Sequence, residues 1–200
     1  AAPCFSNAEL RTAEPSLNDA ATYPPAKIAA ARLQVEAFFE RVTHRRYVPG
    51  YSYEMLPSSG QFDLVVNHPE VRRVRSAVIY QDPGAAPVAT LSAGEVAAIP
   101  PSPSGVVSRY LVPWFGRWVG IGYEHGFSAP SPDVKRQQMR LCRELLMAPK
   151  SQMPDNAITY NSDLGWSAVL VTPGVRGAHT SIPSVNEVLD AWTFDEVAIG

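Results

Sequence analysis

The stretch "TYPPAKIAAARLQVEAFFERVTHRRYVPG", Thr22–Gly50, decides how this chain is organised. Pro24 and Pro25 suit a first helical turn, where the missing N–H would have had no partner anyway. Ile28, Ala31, Val35, Phe38, Phe39 and Val42 then recur at helical spacing and form one apolar face. Lys27, Arg32, Glu36 and Glu40 fall on the opposite face. The spacing predicts an amphipathic helix over 25–43. Arg41, His44, Arg45 and Arg46 crowd its end, ahead of Pro49-Gly50. Three readings suit that basic cluster. It completes a solvated helix C-terminus, where cations complement the negative end of the dipole. It meets a partner's acidic surface. Or it touches phosphate, although no basic stripe elsewhere in the chain joins it.

Working outward, "SNAE" ahead of this helix has the capping-box form, Ser6 as N-cap and Glu9 three residues on, and predicts a short helix over 7–13 that Pro15 ends. From Gly60 to Tyr123 the period changes. "FDLVV", "VRSAVIY", "VATL", "GVVSRYLV" and "WVGIGYEHG" are short runs rich in Val, Ile and aromatics. Turn clusters separate them, which predicts antiparallel strands and hairpins over roughly 60–125. Two separators, 81–87 and 100–105, are expected to be exposed loops. A helix over 132–148 follows, with Ser131 as N-cap, Pro132 at N1 and Asp133 favouring the N-terminal dipole. Its apolar stripe is Val134, Leu141, Cys142, Leu145 and Leu146, and Pro149 stops it. A late hairpin fits "AITYNSDLGWSAVLVTPG". A last helix over 184–192 carries Val185, Val188, Leu189 and Trp192 on one side. The tail 193–200 is expected to be extended or disordered. The fold class is therefore α+β, a small helical core with an antiparallel β elaboration in mid-chain, read as one domain over 1–200.

Composition narrows the function. Charged residues make up 18% of the 200 positions, against roughly 25% in ordinary soluble domains, while proline is abundant at 19 residues. Protein interfaces are poor in Lys and Glu and rich in aromatics, so a charge-poor surface fits a chain covered by partners; a Pro- and Ala-rich coding bias is the other reading. A net charge of −2 argues against a surface that grips DNA throughout. No apolar run approaches the roughly 18 residues of a membrane span. Cys4 and Cys142, far apart in sequence, are neither a disulfide framework nor a zinc site, and Cys142 reads as a buried free thiol.

Catalytic signatures are missing. There is no G-x-S-x-G elbow, no phosphate-cradling G-x-x-x-x-G-K-[ST], and no G-x-G-x-x-G opening a helix. His44, His68, His125 and His179 are isolated from one another and from cysteine, so local metal spacings are absent. Glu124 and His125 are adjacent on a strand end and point to opposite faces, which weakens an acid–base pair. No catalytic, metal or cofactor residues are assigned.

Several segments, in order, resemble the head-to-tail connector proteins of tailed phages. "NDAATYPPAKIAAARLQVEAFFERVTHRRYVP" resembles their Tyr-Pro start, Ala-rich helix and closing aromatic-Val-Pro. "VRRVRSAVIY" resembles their next strand, "WFGRWVGIGYEHGFSAPSPDVKRQQMRLCRELL" their strand, turn and helix, and "TSIPSVNEVLDAW" their closing segment. Ser181 stands where the family usually has Gly, Asn186 where it has Asp, and Gln81–Pro113 matches nothing in the family. The resemblance implies a virion structural protein made in the host cytoplasm, not an enzyme, with no cofactor. It implies a ring, commonly a dodecamer, below the portal protein. The ring joins the capsid to the stopper or tail protein, and genomic DNA passes through it without sequence-specific binding. Candidate interface residues are Arg41, Arg45 and Arg46, then Val185, Leu189 and Trp192, which pack either on the protein's own core or on a ring neighbour. Phe194 leads a tail that is a candidate arm to the portal. Two other readings stand beside this one: another neck or tail-completion protein (stopper or terminator), and a β-rich carbohydrate- or host-binding module using Trp114, Trp118 and Tyr123.

Overall fold

A computed structural model describes residues 3–110, 112–147, 159–161, 167–169 and 179–194. The chain divides into two compact units, one built from residues 3–43 and 130–194, the other from 44–129. The first is helical, and the second carries most of the strands, as α+β patterning predicts.

In the helical unit, α1 (Asn7–Ala13) starts as its sequence dictates. The Ser6 hydroxyl accepts the Glu9 N–H, and the Glu9 carboxylate accepts the Ser6 N–H. Helix α2 (Pro25–Thr43) buries Ile28, Ala31, Val35 and Phe39. Phe38 and Val42, expected on the same face, are only half-buried. The opposite, charged face is engaged as well. Arg32 donates to Phe5 O at 3.2 Å and to Asn7 Oδ1 at 3.3 Å, while Glu36 Oε1 accepts the Cys4 N–H at 2.8 Å. This ion-paired flank docks the N-terminal segment, so its charges do structural work.

Helix α4 (Pro132–Met147) buries Val134, Gln138, Cys142 and Leu146, a strict i, i+4 series. Leu141 and Leu145 fall off that stripe, and Leu145 is exposed, because the inward row is led by position 134 and passes through a polar residue, Gln138. Cys4 and Cys142 are both free and buried. Helix α5 (Pro183–Trp192) buries Val185 and Leu189. Asn186 explains one departure from the connector pattern. Its Oδ1 accepts the Thr180 N–H at 2.8 Å, and its Nδ2 donates to Thr180 O at 2.9 Å, a donation no aspartate could make. Ser181 is not among the residues with positive φ, so the backbone there has no need of glycine. Strands β7 (Thr159–Asn161) and β8 (Ser167–Val169) pair antiparallel, as the late-hairpin expectation holds. Residues 148 and 195–200, the expected end of α4 and most of the tail, lie outside the described residues.

The β unit holds an antiparallel sheet in the order β1 (Gly50–Pro57), β6 (Trp118–His125), β3 (Val71–Tyr80), β4 (Ala89–Thr90). A ribbon of β2 (Asp63–Val65) and β5 (Val106–Ser108) and a short helix α3 (Ala93–Ala97) complete it. Inward side chains such as Val74, Ile79, Val107, Trp114, Val119 and Ile121 form one core. Strand β1 starts ahead of the stretch read as β-rich. Its residues are exposed or half-buried, none fully buried, so no apolar alternation announces it. Helix α3 was also unexpected; Ser92 and Glu95 form a second capping box. The 81–87 loop is exposed as expected. The 100–105 loop is not wholly so, because Ser102 is buried and exchanges both backbone hydrogen bonds with Val71 at 2.8 Å.

Candidate functional site

The basic stretch is divided by the fold. Helix α2 ends at Thr43, and His44 leaves it with φ 55°, so of the four cations only Arg41 lies in the helix's last turn. The expectation that Arg45 and Arg46 also complement the helix dipole is corrected: the left-handed step at His44 takes them into the β unit. Arg41 is exposed, its guanidinium 5.6 Å from the Phe38 ring centre. Arg45 pairs with Glu70 Oε1 at 2.7 Å and lies over Phe127 at 6.0 Å. The Arg46 backbone carbonyl accepts the Phe127 N–H at 3.0 Å, and its side chain lies against Gly50. Both therefore take part in closing the β unit, where Tyr47 stacks on Phe127.

The α5 candidates are also engaged. Val185 and Leu189 are fully buried within the helical unit. Trp192 is half-buried, and its indole N–H donates to Asp133 Oδ2 at 3.0 Å. The Phe194 N–H donates to Thr43 O at 2.9 Å, which ties the end of α5 to the end of α2. The sugar-stacking platform expected of Trp114, Trp118 and Tyr123 is not formed by these three: Trp114 and Tyr123 are completely buried, the Trp114 indole donates to Val107 O, and only Trp118 is partly exposed.

Two features were invisible in the sequence. The outer face of the sheet is aromatic. Tyr51 and Tyr53 are about half exposed, and their hydroxyl ends lie over Gly122 and Gly120 of the central strand, reaching towards Ser76 and Tyr80 of β3. Side chains on β6 at these positions would displace the tyrosines. A second apolar group surrounds the crossing of 60–62 with 109–115, where Phe62, Tyr110, Val112 and Phe115 are exposed. Backbone bonds from Arg109 N–H to Phe62 O and from Trp114 N–H to Gln61 O hold those strands of chain together.

The other feature is a polar cluster on the inner side of the sheet. His68 and His125 stack with ring centres 4.1 Å apart and planes 7° from parallel. His125 is buried and shares a 3.0 Å hydrogen bond between its Nε2 and Ser52 Oγ, while its Nδ1 has no partner. The Tyr123 hydroxyl donates to Glu54 Oε1 at 2.5 Å and accepts the His68 N–H at 3.3 Å. Burial, then the nearby His68 and Arg46 charges, push the His125 imidazole down to about 4. Parallel stacked rings do not converge on a common point, and among the described residues no group of His, Cys, Asp and Glu is arranged to hold a metal ion. Nor is any described helix long and apolar enough to cross a membrane.

No protein-family model matches the chain. No curated protein matches it either. Solved structures do. One chain from the neck of an empty GTA particle, computed with C6 symmetry, superposes with a TM-score of 0.64 at 14% identity, over 98% of this chain and 93% of that one. Another, from the neck of a native GTA particle computed with C12 symmetry, gives 0.57 at 16% identity over 96% and 90%. These matches span both units, so the chain shares, along nearly its whole length, the fold of these particle-neck chains.

Proposed function

We propose that this chain is a virion structural protein of the neck, a head-to-tail adaptor that assembles as a ring beneath the portal and joins the capsid to the stopper or tail. The observation that carries this is the match of fold over nearly the full length of a neck chain, in the same segments whose sequence resembles head-to-tail connectors. Its chemistry is packing and hydrogen bonding, with no bond made or broken and no cofactor. Cyclic symmetry in the similar neck structures supports self-association of this chain into a ring, with twelve subunits as the expected number.

A closed ring of identical subunits needs two different, mutually complementary patches on each. The Tyr51–Tyr53 sheet face and the Phe62–Phe115 group are two such exposed apolar surfaces on one unit. They are our candidates for the lateral contacts between copies. Arg41, exposed at the end of α2, and the Trp192–Phe194 end of α5 are candidates for meeting the portal or a ring neighbour. Genomic DNA passes through the ring's channel.

The test combines light scattering of the purified chain, alone and with its cognate portal, with electron microscopy of intact particles. A ring, a portal complex and density in the neck are expected. A chain that stays monomeric, ignores the portal and is missing from particles would end the proposal. Changing Tyr53 to Glu should abolish ring formation while leaving the monomer folded by circular dichroism.

A further inference from the structure

The stacked histidines lie outside the surfaces proposed above for assembly. Residues 67–70 form the turn between β2 and β3; the bonds of its first half converge on one carboxylate, while Glu70 at its far end donates its N–H to Pro103 O at 3.0 Å. Glu54 Oε2 accepts the Asn67 N–H at 3.1 Å. Glu54 Oε1 accepts the Tyr123 hydroxyl, which in turn accepts the His68 N–H. His68 Nε2 lies 3.9 Å from the same Oε1. Farther along the turn, Glu70 has φ 59°, pairs with Arg45, and offers its carbonyl to the Gly126 N–H at 3.0 Å.

Charge on the two rings acts on this arrangement in opposite senses. His68 is nearly half exposed and its Nε2 faces Glu54, so a charged His68 adds an ion pair that tightens the turn. Charging His125 as well sets two imidazolium rings face to face at 4.1 Å, one of them buried. The groups around His125 offer it no compensation. Ser52 from β1 and Tyr123 from β6 are neutral, Arg46 from the segment before β1 is cationic, and Glu54 is already engaged by Tyr123, Asn67 and His68. Glu70 is paired with Arg45, and burial raises its carboxyl above the usual range, so it takes a proton more readily in the folded chain and does not itself drive the loss in acid.

We propose that the His68–His125 stack is an acid latch: it holds the 67–70 turn against the sheet while no more than one of its rings is charged, and lets the turn go once both are. The sign follows from linkage. Folded His125 takes a proton less readily than the unfolded chain does, so protection is complete above the ordinary imidazole value near 6.5 and is lost as pH falls from there towards about 4.

Hydrogen exchange of the full chain, read by mass spectrometry and normalised to intrinsic rates, tests this. A peptide covering 64–72 should lose protection by up to about tenfold per pH unit across that window, the slope for uptake of one proton. A peptide from α2 should not follow it. His68→Asn removes the second charge, so His125 tolerates protonation better and the loss becomes smaller. Histidine NMR titration of the unaltered protein is the second readout, with His125 expected to titrate at least one pH unit below the ordinary imidazole value. Four results would each overturn the latch: unchanged protection of 64–72 down to pH 4, equal loss in α2, an undiminished loss in His68→Asn, or an ordinary imidazole midpoint for His125.

Discussion

Gly126 and Gly84 offer a controlled measurement of what holds the β unit closed. Both have left-handed backbone, with φ 86° and 87°. An alanine at either site incurs the cost of a Cβ in that conformation, about 1–2 kcal/mol, and gains the same small benefit from a stiffer unfolded chain. Their surroundings differ. At Gly84 an added Cβ meets nothing within 4 Å. At Gly126 it would lie 2.5 Å from the Val48 carbonyl oxygen and 3.0 Å from that of Arg46, both backbone atoms that no rotamer change can move. Relief requires the 46–48 segment to shift, at the expense of the Phe127 N–H to Arg46 bond and the Gly126 N–H to Glu70 bond. Each is worth about 1 kcal/mol net. Gly126→Ala is therefore expected to cost about 3–4 kcal/mol and Gly84→Ala about 1–2 kcal/mol. Urea unfolding followed by tryptophan fluorescence and far-ultraviolet circular dichroism measures both. Equal losses at the two sites would refute the claim that the Arg46–Val48 strap is rigidly seated on the end of β6.

Three further outcomes follow from the geometry. Tyr123→Phe removes the hydroxyl that both Glu54 and the His68 N–H use, stranding two polar groups, and should lower stability by about 1–3 kcal/mol in the same urea assay. Arg45→Glu places a second carboxylate beside the partly buried Glu70 and should lower the thermal midpoint of unfolding distinctly, whereas exposed Arg41→Glu should change stability by no more than about 0.5 kcal/mol; similar midpoints for the two variants would count against the division of the basic stretch. Burial raises the thiols of Cys4 to about 12 and Cys142 to about 11, so neither should react with iodoacetamide at pH 8 until denaturant is added, as read by mass spectrometry.

The helices were legible because their signals are local. Ser6 with Glu9, the Pro24-Pro25 start and Val185 with Leu189 each specify an element within a few residues. The strands of β3 and β6 were legible from Val and Ile runs whose alternate residues enter one core. Strand β1 was not, since an edge strand with tyrosines on its open face has no apolar alternation to show. In the basic stretch the sequence revealed the charge but not the helix stop. His44 takes a left-handed turn that nothing in its type requires, and this step separates Arg41 from Arg45 and Arg46. The His68–His125 stack lay beyond any spacing rule, because the register of β6 against β1 and β3, not proximity along the chain, brings the two rings together.

The end of α5 touches both places where the helical unit's chain is interrupted. Phe194 bonds to Thr43, its last residue before residues 44–129, and Trp192 bonds to Asp133, just after them. Two nearly adjacent residues thus stitch exit and re-entry side by side, much as a staple holds the ends of a cut loop. The two ends of the intervening segment are thus held by bonds that belong to the helical unit itself. A short linker in place of 44–129 would ask the remaining chain to span only the gap that Trp192 and Phe194 already bridge.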